Sequence, residues 1–292
     1  MSRLPRSWLY VPGHRADRVA KALVAGADAV VIDLEDAVPA AQKDAARDLT
    51  VGLLGERPDD GALQVWVRIN PPGTEAGRRD VAALAGHRLD GLRVPRADDP
   101  GEVRKVAERT GARLQLLLES AQGLSRAREL AEAHELVVGI GLGEADLAAD
   151  LLVDRDEGLT WARGAVVVAA RAAGLPSPVQ SVWTDVGDPD GLRASSELGR
   201  ATGFFGRSVI HPRQIDTVHD VYTPSAEEIA AAEGVVATAA DAAARGEAAA
   251  LDAHGRFVDP AVVARARIVL DRAGPRAQPV PPAPDPSAGE AP

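Results

Sequence analysis

Cysteine is missing from the 292 residues of this chain, and lysine is scarce. Without a thiol there is no disulfide, no thiolate metal ligand and no cysteine nucleophile. The only lysines are Lys21, Lys43 and Lys105, and each falls on a segment predicted to be an outer helix. Imine chemistry needs a lysine that projects into the site, so the sequence does not favour a Schiff-base mechanism.

A long apolar run and an excess of positive charge are also lacking. The first apolar stretch, Trp8 to Pro12, is far too short to span a membrane or to act as a targeting segment. Acidic residues outnumber basic ones by 43 to 33, and the net charge of −10 disfavours nucleic acid as a partner. We therefore expect a cytoplasmic protein that binds neither nucleic acid nor a membrane.

Short aliphatic runs alternate with helical patterns along most of the chain. Such near-continuous apolar strands are typical of parallel strands covered on both faces, and eight strand–helix units predict closure into a (β/α)8 TIM barrel. A doubly wound open sheet is the alternative. The eight predicted strands are Ser7–Pro12, Ala29–Asp36, Gln64–Asn70, Gly91–Arg96, Arg113–Ser120, Leu136–Leu142, Ser177–Trp183 and Gly206–His211.

The pattern changes at two places. After the sixth strand there is room for an additional helix, Trp161–Ala173, with Thr160 as its N-cap. After His211 the chain becomes rich in alanine and glutamate, which predicts helices at Ser225–Arg245 and Pro260–Ala273.

These patterns predict three regions. We assign residues 1–220 to the catalytic barrel and residues 221–273 to a C-terminal helical extension or lid. Residues 274–292 are rich in proline, and this composition predicts a disordered tail.

Polar side chains stand where several predicted strands end, which is where barrels of this kind build their sites. Glu119 and Asp146 end neighbouring strands, and two carboxylates at such positions suit a hard cation such as Mg²⁺. Arg68 ends the third strand, and Glu35 and Asp36 follow the second. An isolated acid at such a position is more often a helix cap or a loop charge. A metal-stabilised enolate is the chemistry that this set favours.

Six motifs in order resemble the HpcH/HpaI aldolase, or citrate lyase beta-subunit-like, family of CoA-ester lyases, which includes relatives of malyl-CoA and citramalyl-CoA lyases. The motifs are Trp8–Arg15, Val31–Val38, Val67–Asn70, Leu117–Gly123, Gly143–Ala148 and Ile210–Ile215. The resemblance implies an Mg²⁺-dependent carbon–carbon lyase. Its reaction would be the reversible Claisen-type cleavage of a 3-hydroxy-acyl-CoA to acetyl-CoA and a 2-oxo acid.

The resemblance also implies roles for residues. Mg²⁺ would bind Glu119 and Asp146, and Arg68 would act on the substrate and on the enolate oxygen. The residues that it places near the acyl-CoA substrate are Tyr10, Arg15, Lys21, Arg68, His211 and Pro212. Tyr10 would suit adenine stacking, and the basic residues would suit phosphate. His211–Pro212 is also a common loop pair without a binding role.

The proton-transfer base is the least defined role. Asp259 precedes the last predicted helix, and an aspartate before a proline is a common N-cap. In the stand-alone enzymes that the chain resembles, the corresponding aspartate reaches the site of a neighbouring subunit. Asp259 would then be the base of an oligomer, in particular a trimer. Asp36 and Glu35 are the alternatives.

Other activities stay open. The same site could cleave the thioester of malyl-CoA, as a thioesterase does. The chain could also be a non-catalytic or carrier-protein-dependent beta subunit of a citrate lyase complex. Two positions depart from the family pattern: Arg207 stands where lysine is common, and Ser120 where threonine is common. We expect these changes to adjust the shape of the substrate site.

Overall fold

Seven parallel strands form one curled sheet in the computed structural model, which describes residues 4–56 and 63–273. Their order across the sheet is β6-β5-β4-β3-β2-β1-β7, so neighbours in sequence are neighbours in space except at β7, which pairs with β1. The strands are β1 (Ser7–Pro12), β2 (Ala29–Asp33), β3 (Gln64–Arg68), β4 (Gly91–Val94), β5 (Leu114–Leu118), β6 (Val137–Leu142) and β7 (Arg207–Val209).

Helices follow the strands. Polar side chains begin several of them: Thr74 and Asp188, for example, accept hydrogen bonds from the backbone amides of Gly77 and Gly191. The helices of this part of the chain are α1 (Ala16–Ala22), α2 (Lys43–Glu56), α3 (Glu75–Leu84), α4 (Pro100–Thr110), α5 (Ala121–Ser125), α6 (Ala127–Ala131), α7 (Glu144–Asp150), α8 (Thr160–Ala172), α9 (Pro189–Ala201) and α10 (Ile215–Tyr222).

The strands bury both faces, as their apolar composition predicts. Successive side chains of β1 belong to different clusters, because side chains alternate along a strand. Leu9 and Val11 pack in the large core with helix residues such as Val19. Trp8 packs in a smaller cluster with Ala29, Val31, Trp66 and Val179 on the other face of the sheet. This second face of the sheet therefore has a small apolar cluster of its own.

The predicted seventh strand, Ser177–Trp183, is not formed as a strand. It makes one isolated parallel bridge, between Gln180 and Arg207 of β7, and on its other side the Ser181 hydroxyl donates to the Leu142 carbonyl at 2.7 Å. Pro176 and Pro178 lack the amide hydrogens that a regular ladder needs. The segment therefore bridges the edge strands β6 and β7 without becoming an eighth strand.

One helix start also differs from the prediction. Thr160 is the first residue of α8 and not its N-cap, because a 3-10 turn at Asp156–Leu159 runs directly into the helix. Two other 3-10 turns lie at Ala40–Gln42 and Pro212–Gln214. Among the residues that the structure describes, no helix is long and apolar enough to cross a bilayer.

The chain divides into two compact units, and the sheet belongs to the unit 4–222. The other unit, described from Thr223 to Ala273, contains two helices, α11 (Ala226–Ala244) and α12 (Pro260–Ala273), and an antiparallel pair, β8 (Ala250–Leu251) and β9 (Phe257–Val258). The predicted helix ranges contain α11 and α12. The predicted tail, 274–292, lies outside the described residues.

Candidate functional site

A cavity of about 700 Å³ opens at the carboxyl ends of the strands. It collects side chains that are far apart in sequence, because the carboxyl ends of parallel strands meet at one edge of the sheet. Of the predicted site residues, the lining includes Tyr10, Asp36, Arg68, Glu119 and Asp146. The structure thus brings the predicted metal ligands and Arg68 into one cavity.

Glu119 follows β5 and is buried, with 3% of its surface exposed. Its Oε1 accepts a hydrogen bond of 2.7 Å from the backbone amide of Arg96, a residue with a left-handed φ of 47°. Its Oε2 lies against Gly143, where any Cβ would collide with the carboxylate. A non-glycine residue with positive φ and a glycine in close contact therefore hold the Glu119 carboxylate in place.

Burial raises the pKa of Glu119 to about 7, the amide bond from Arg96 opposes this rise, and the charge of Asp146 adds to it. The negative charges of the two carboxylates repel each other in the cavity, and a divalent cation bound between them would offset this repulsion. No group of three or more His, Asp or Glu side chains in the described ranges could hold a metal. The two carboxylates suit Mg²⁺, which takes few protein ligands and completes its octahedron with water and substrate oxygens.

Arg68, at the end of β3, is clamped by carboxylates. Its Nε and Nη2 each lie 2.7 Å from an oxygen of Asp33, which is in register with it on β2. Its Nη1 lies 2.7 Å from Glu35 and 3.4 Å from Asp36. Burial alone would lower the pKa of Arg68, but the hydrogen bonds and charge of Asp33 outweigh it and raise the pKa. Arg68 is therefore charged and oriented before any substrate binds.

Asp33 is a residue of the cavity for which the sequence patterns predicted no role. Only 1% of this residue is exposed, and besides Arg68 it accepts hydrogen bonds from the backbone amides of Glu35 and Ala37, at 2.9 and 3.0 Å. Asp33 thus shapes the loop that carries Glu35 and fixes Arg68 at the same time. The pattern in the sequence that could have identified it is an acid at the end of a fully buried strand, next to an arginine at the end of the following strand.

Glu35 is a second carboxyl with a raised pKa. Burial raises its pKa to about 8, Arg68 opposes the rise, and the charges of Asp36, Glu119 and Asp33 add to it. Its Oε2 is buried without a hydrogen bond of good geometry to any described residue, although Arg68 Nη1 lies 2.7 Å away. Burial thus favours the neutral form of Glu35, whereas the neighbouring Arg68 guanidinium favours its carboxylate.

Lys43 lies on α2, as predicted for an outer helix, but its ammonium group reaches the loop after β2. It donates to the carbonyl oxygens of Leu34 and Glu35, both at 3.0 Å. The group is bound to backbone and does not line the cavity. Lys21 and Lys105 also lie on helices, α1 and α4, and neither lines the cavity.

The residues predicted to bind CoA are not all brought together. Tyr10 lines the cavity, and the guanidinium groups of Arg68 and Arg93 lie over its ring at 5.1 and 5.3 Å; its stacking on adenine stays a prediction. Arg15 pairs with Asp17 at the start of α1, and Lys21 is exposed on the same helix. Neither Arg15 nor Lys21 lines the cavity, and their contact with CoA stays a prediction.

His211 and Pro212 form the start of the turn that follows β7. His211 Nδ1 accepts a hydrogen bond from the Arg213 amide, and its own amide donates to Gln214, which together cap the turn Pro212–Gln214. Ile210 lines the cavity, whereas His211 and Pro212 do not. The structure favours the loop interpretation of this pair.

The two departures from the family pattern also lie away from the cavity lining. Ser120 caps α5 by accepting from the Gly123 amide, and its hydroxyl donates to Asp98. Arg207 is buried, and its Nη1 donates to the hydroxyls of Ser195 and Ser196. Both are structural contacts, so the expected effect on substrate shape has no support here.

Asp259 belongs to the unit that begins at Thr223. Its Oδ1 accepts a hydrogen bond of 2.9 Å from the Val262 amide at the start of α12. The predicted N-cap contact is therefore present. Its predicted role as a base in a neighbouring subunit stays a prediction.

A curled parallel sheet with an acidic cavity at the carboxyl ends of its strands defines a TIM-barrel-like α/β protein with a candidate metal site. Within this class the chain belongs to the HpcH/HpaI aldolase/citrate lyase family, whose model matches residues 6–212. The family membership predicted from the six motifs is confirmed.

Similar proteins cover most of the chain. The citrate lyase subunit beta of Escherichia coli K12 is 36% identical over 287 residues, 93% of this chain and 94% of that protein. A (3S)-malyl-CoA thioesterase of Cereibacter sphaeroides is 38% identical over 273 residues, 92% of this chain and 94% of that protein. The crystal structure of CitE from Mycobacterium tuberculosis with magnesium, acetoacetate and coenzyme A is 36% identical, with a TM-score of 0.77, and covers 92% of this chain and 98% of that one.

Proposed function

We propose that this chain is an Mg²⁺-dependent carbon–carbon lyase that cleaves a citryl-, malyl- or citramalyl-type 3-hydroxy-acyl-CoA to acetyl-CoA and a 2-oxo acid. The observation that carries the proposal is the meeting of Glu119, Asp146 and the carboxylate-clamped Arg68 in one cavity. Family membership and a relative crystallised with magnesium, acetoacetate and coenzyme A support it.

Glu119 and Asp146 would hold the metal. The geometry fits, because Gly143 leaves room for the Glu119 carboxylate and its Oε2 has no hydrogen-bond donor among the described residues. When bound, Mg²⁺ supplies a Lewis acid that polarises the carbonyl of the 2-oxo acid.

Arg68 would stabilise the oxygen on which negative charge develops as the thioester becomes an enolate. Asp33 holds the guanidinium through two bonds of 2.7 Å, so little reorganisation is needed when the charge forms. Such a preorganised donor commonly contributes on the order of 3 kcal/mol to catalysis.

A base must remove a proton from the acyl methyl group in the condensation direction. We propose Asp259 for this step, supplied by a neighbouring subunit of a trimer. Glu35 and Asp36 are the alternatives within the unit 4–222, and the raised pKa of Glu35, about 8, suits proton exchange near neutral pH. We also propose that the protein is cytoplasmic.

One relative bears the name of a thioesterase, so thioester hydrolysis is the second candidate. The decisive experiment incubates the purified protein with Mg²⁺ and malyl-CoA, citramalyl-CoA or citryl-CoA. Free thiol and 2-oxo acid are measured separately in each reaction. A lyase produces 2-oxo acid and acetyl-CoA, whereas a thioesterase releases free CoA without 2-oxo acid.

The same assay tests the metal. The matched variant is Asp146→Asn, which removes a charge from an exposed side chain and leaves the core intact. We expect it to abolish both Mg²⁺ binding in calorimetry and Mg²⁺-dependent activity. Full activity of this variant in the presence of a chelator would refute the metal site. Activity that appears only when an acyl carrier protein is added would identify a subunit of a complex.

A further inference from the structure

Arg93, in β4, carries a charge in the interior of the curled sheet. Only 2% of the residue is exposed, and it lines the cavity. Within residues 4–56 and 63–273 no carboxylate forms an ion pair with it. A buried cation whose partners are neutral is costly compared with an apolar side chain, so stability does not explain its presence.

The partners of Arg93 come from three other strands. Its Nε donates to Gln115 Oε1 on β5 at 2.6 Å, and its Nη1 donates to the Tyr10 hydroxyl on β1 at 2.7 Å and to Ser208 Oγ on β7 at 2.9 Å. Its guanidinium also lies 4.7 Å from the Trp8 ring and 5.3 Å from the Tyr10 ring. Arg93 therefore holds Tyr10 at both its hydroxyl and its ring.

Tyr10 in turn contacts Arg68, whose Cζ lies 5.1 Å from the centre of the Tyr10 ring. The carboxylates of Asp33 and Glu35 bind the guanidinium edge of Arg68, and the aromatic ring supports it further. A Tyr10 ring that moved would remove the aromatic contact on the guanidinium and leave Asp33 and Glu35 to hold Arg68 by its edge.

We propose that Arg93 is a positioning residue, which acts through the Tyr10 hydroxyl to fix the ring that supports Arg68. The inference rests on the proposed function, because Arg68 is there the group that acts on the enolate. It assigns no contact between Arg93 and the substrate.

The chain has only two tyrosines, Tyr10 and Tyr222, so NMR of ring-¹³C-labelled tyrosine reports the placement directly. The signals lost in Tyr10→Phe belong to Tyr10. We expect Arg93→Met to shift and broaden the Tyr10 signals and to leave those of Tyr222 in place. Arg93→Lys keeps the charge but not the planar fork, and it should move the same signals. Tyr10 signals that stay unchanged in both variants would overturn the proposal.

Kinetics provide the second readout. Arg93→Met and Tyr10→Phe should each lower kcat about tenfold, with KM changed less than about twofold, and the double variant should be no slower than the slower single variant. Losses that multiply in the double variant would contradict action through Tyr10.

The matched control is Arg113→Met, because Arg113 also lies over a tryptophan, Trp66 at 5.3 Å, but does not line the cavity. We expect its kcat to equal that of the wild type, and an equal loss would overturn the proposal. A wild-type protein without lyase activity would refute the proposed function, while the NMR comparison would still decide the positioning of Tyr10.

Discussion

Gly143 and Glu119 are in contact at the ends of neighbouring strands, so closely that a Cβ on the glycine would overlap the glutamate carboxylate. The amide of Gly143 donates to the Leu118 carbonyl at 3.2 Å, which fixes the glycine against the end of β5. The backbone there cannot retreat without breaking this bond. The glycine is thus part of the candidate metal site although it contributes no ligand atom.

Gly143→Ala should therefore displace the Glu119 carboxylate and weaken Mg²⁺ binding by about tenfold or more, with a matching loss of activity. Calorimetric titration with Mg²⁺ measures the affinity. The control is Gly164→Ala in α8, where a Cβ meets open space and should slightly stabilise the helix. Unchanged Mg²⁺ affinity in Gly143→Ala would show that Glu119 does not bind the metal.

The raised pKa of Glu35 makes stability depend on pH. Its pKa is about 8 in the folded protein and 4.5 as its ordinary value, so between these values the folded state binds more protons than the unfolded state. The free energy of unfolding therefore falls as pH rises through this window, and the contribution of the protonated group is fully present below it.

Glu35→Gln should remove this part of the dependence. Urea unfolding of the metal-free protein at about pH 5 and about pH 8 gives the free energy of unfolding for both proteins. We expect the wild type to lose more stability than the variant between these two values. Equal losses would mean that Glu35 titrates normally.

Arg68→Lys should lower kcat by about a hundredfold and change KM far less, because lysine keeps the charge but cannot form both bonds to Asp33. Steady-state kinetics with the acyl-CoA substrate measure the two constants. Thermal unfolding serves as the control for the lost ion pair. If kcat is unchanged, Arg68 has a structural role only.

Asp259 can be tested by separating its two roles. Asparagine caps helices about as well as aspartate, whereas alanine costs about 1 kcal/mol of stability, so Asp259→Asn keeps the start of α12 and removes the base. We expect Asp259→Asn to be as stable as the wild type but inactive. Mixed with Asp146→Asn it should regain part of the activity, because hybrid oligomers contain sites with both residues intact.

Light scattering of the purified protein tests the trimer that this prediction requires. A fully active Asp259→Asn variant, or an active monomer, would leave Asp259 as a helix cap. The base would then be Glu35 or Asp36.

Most strands of the fold could be predicted from the sequence alone. Seven of the eight predicted strands are present. β1 to β6 are mainly apolar, a pattern that needs no knowledge of partners, whereas β7 is Arg207–Ser208–Val209 and is held by its pairing with β1. The predicted seventh strand, Ser177–Trp183, contains aliphatic residues too, but Pro178 lacks the amide hydrogen that a regular ladder needs. Its place between β6 and β7 comes from long-range contacts that local patterning does not encode.

Some residues of the candidate site were also predictable from the sequence, whereas others were found only in the structure. Glu119 and Arg68 were predictable because they stand at the ends of parallel strands, and Asp146 because it lies in the first turn of α7, just after β6; the carboxyl ends of these strands share one edge of the sheet. The sequence by itself determined these positions and the family. Only the tertiary structure decided that Asp33 clamps Arg68 and that Arg93 reaches Tyr10. Those contacts depend on the register between strands and on how far long side chains reach across the interior of the sheet. Register and reach are set by packing between segments that are distant in sequence.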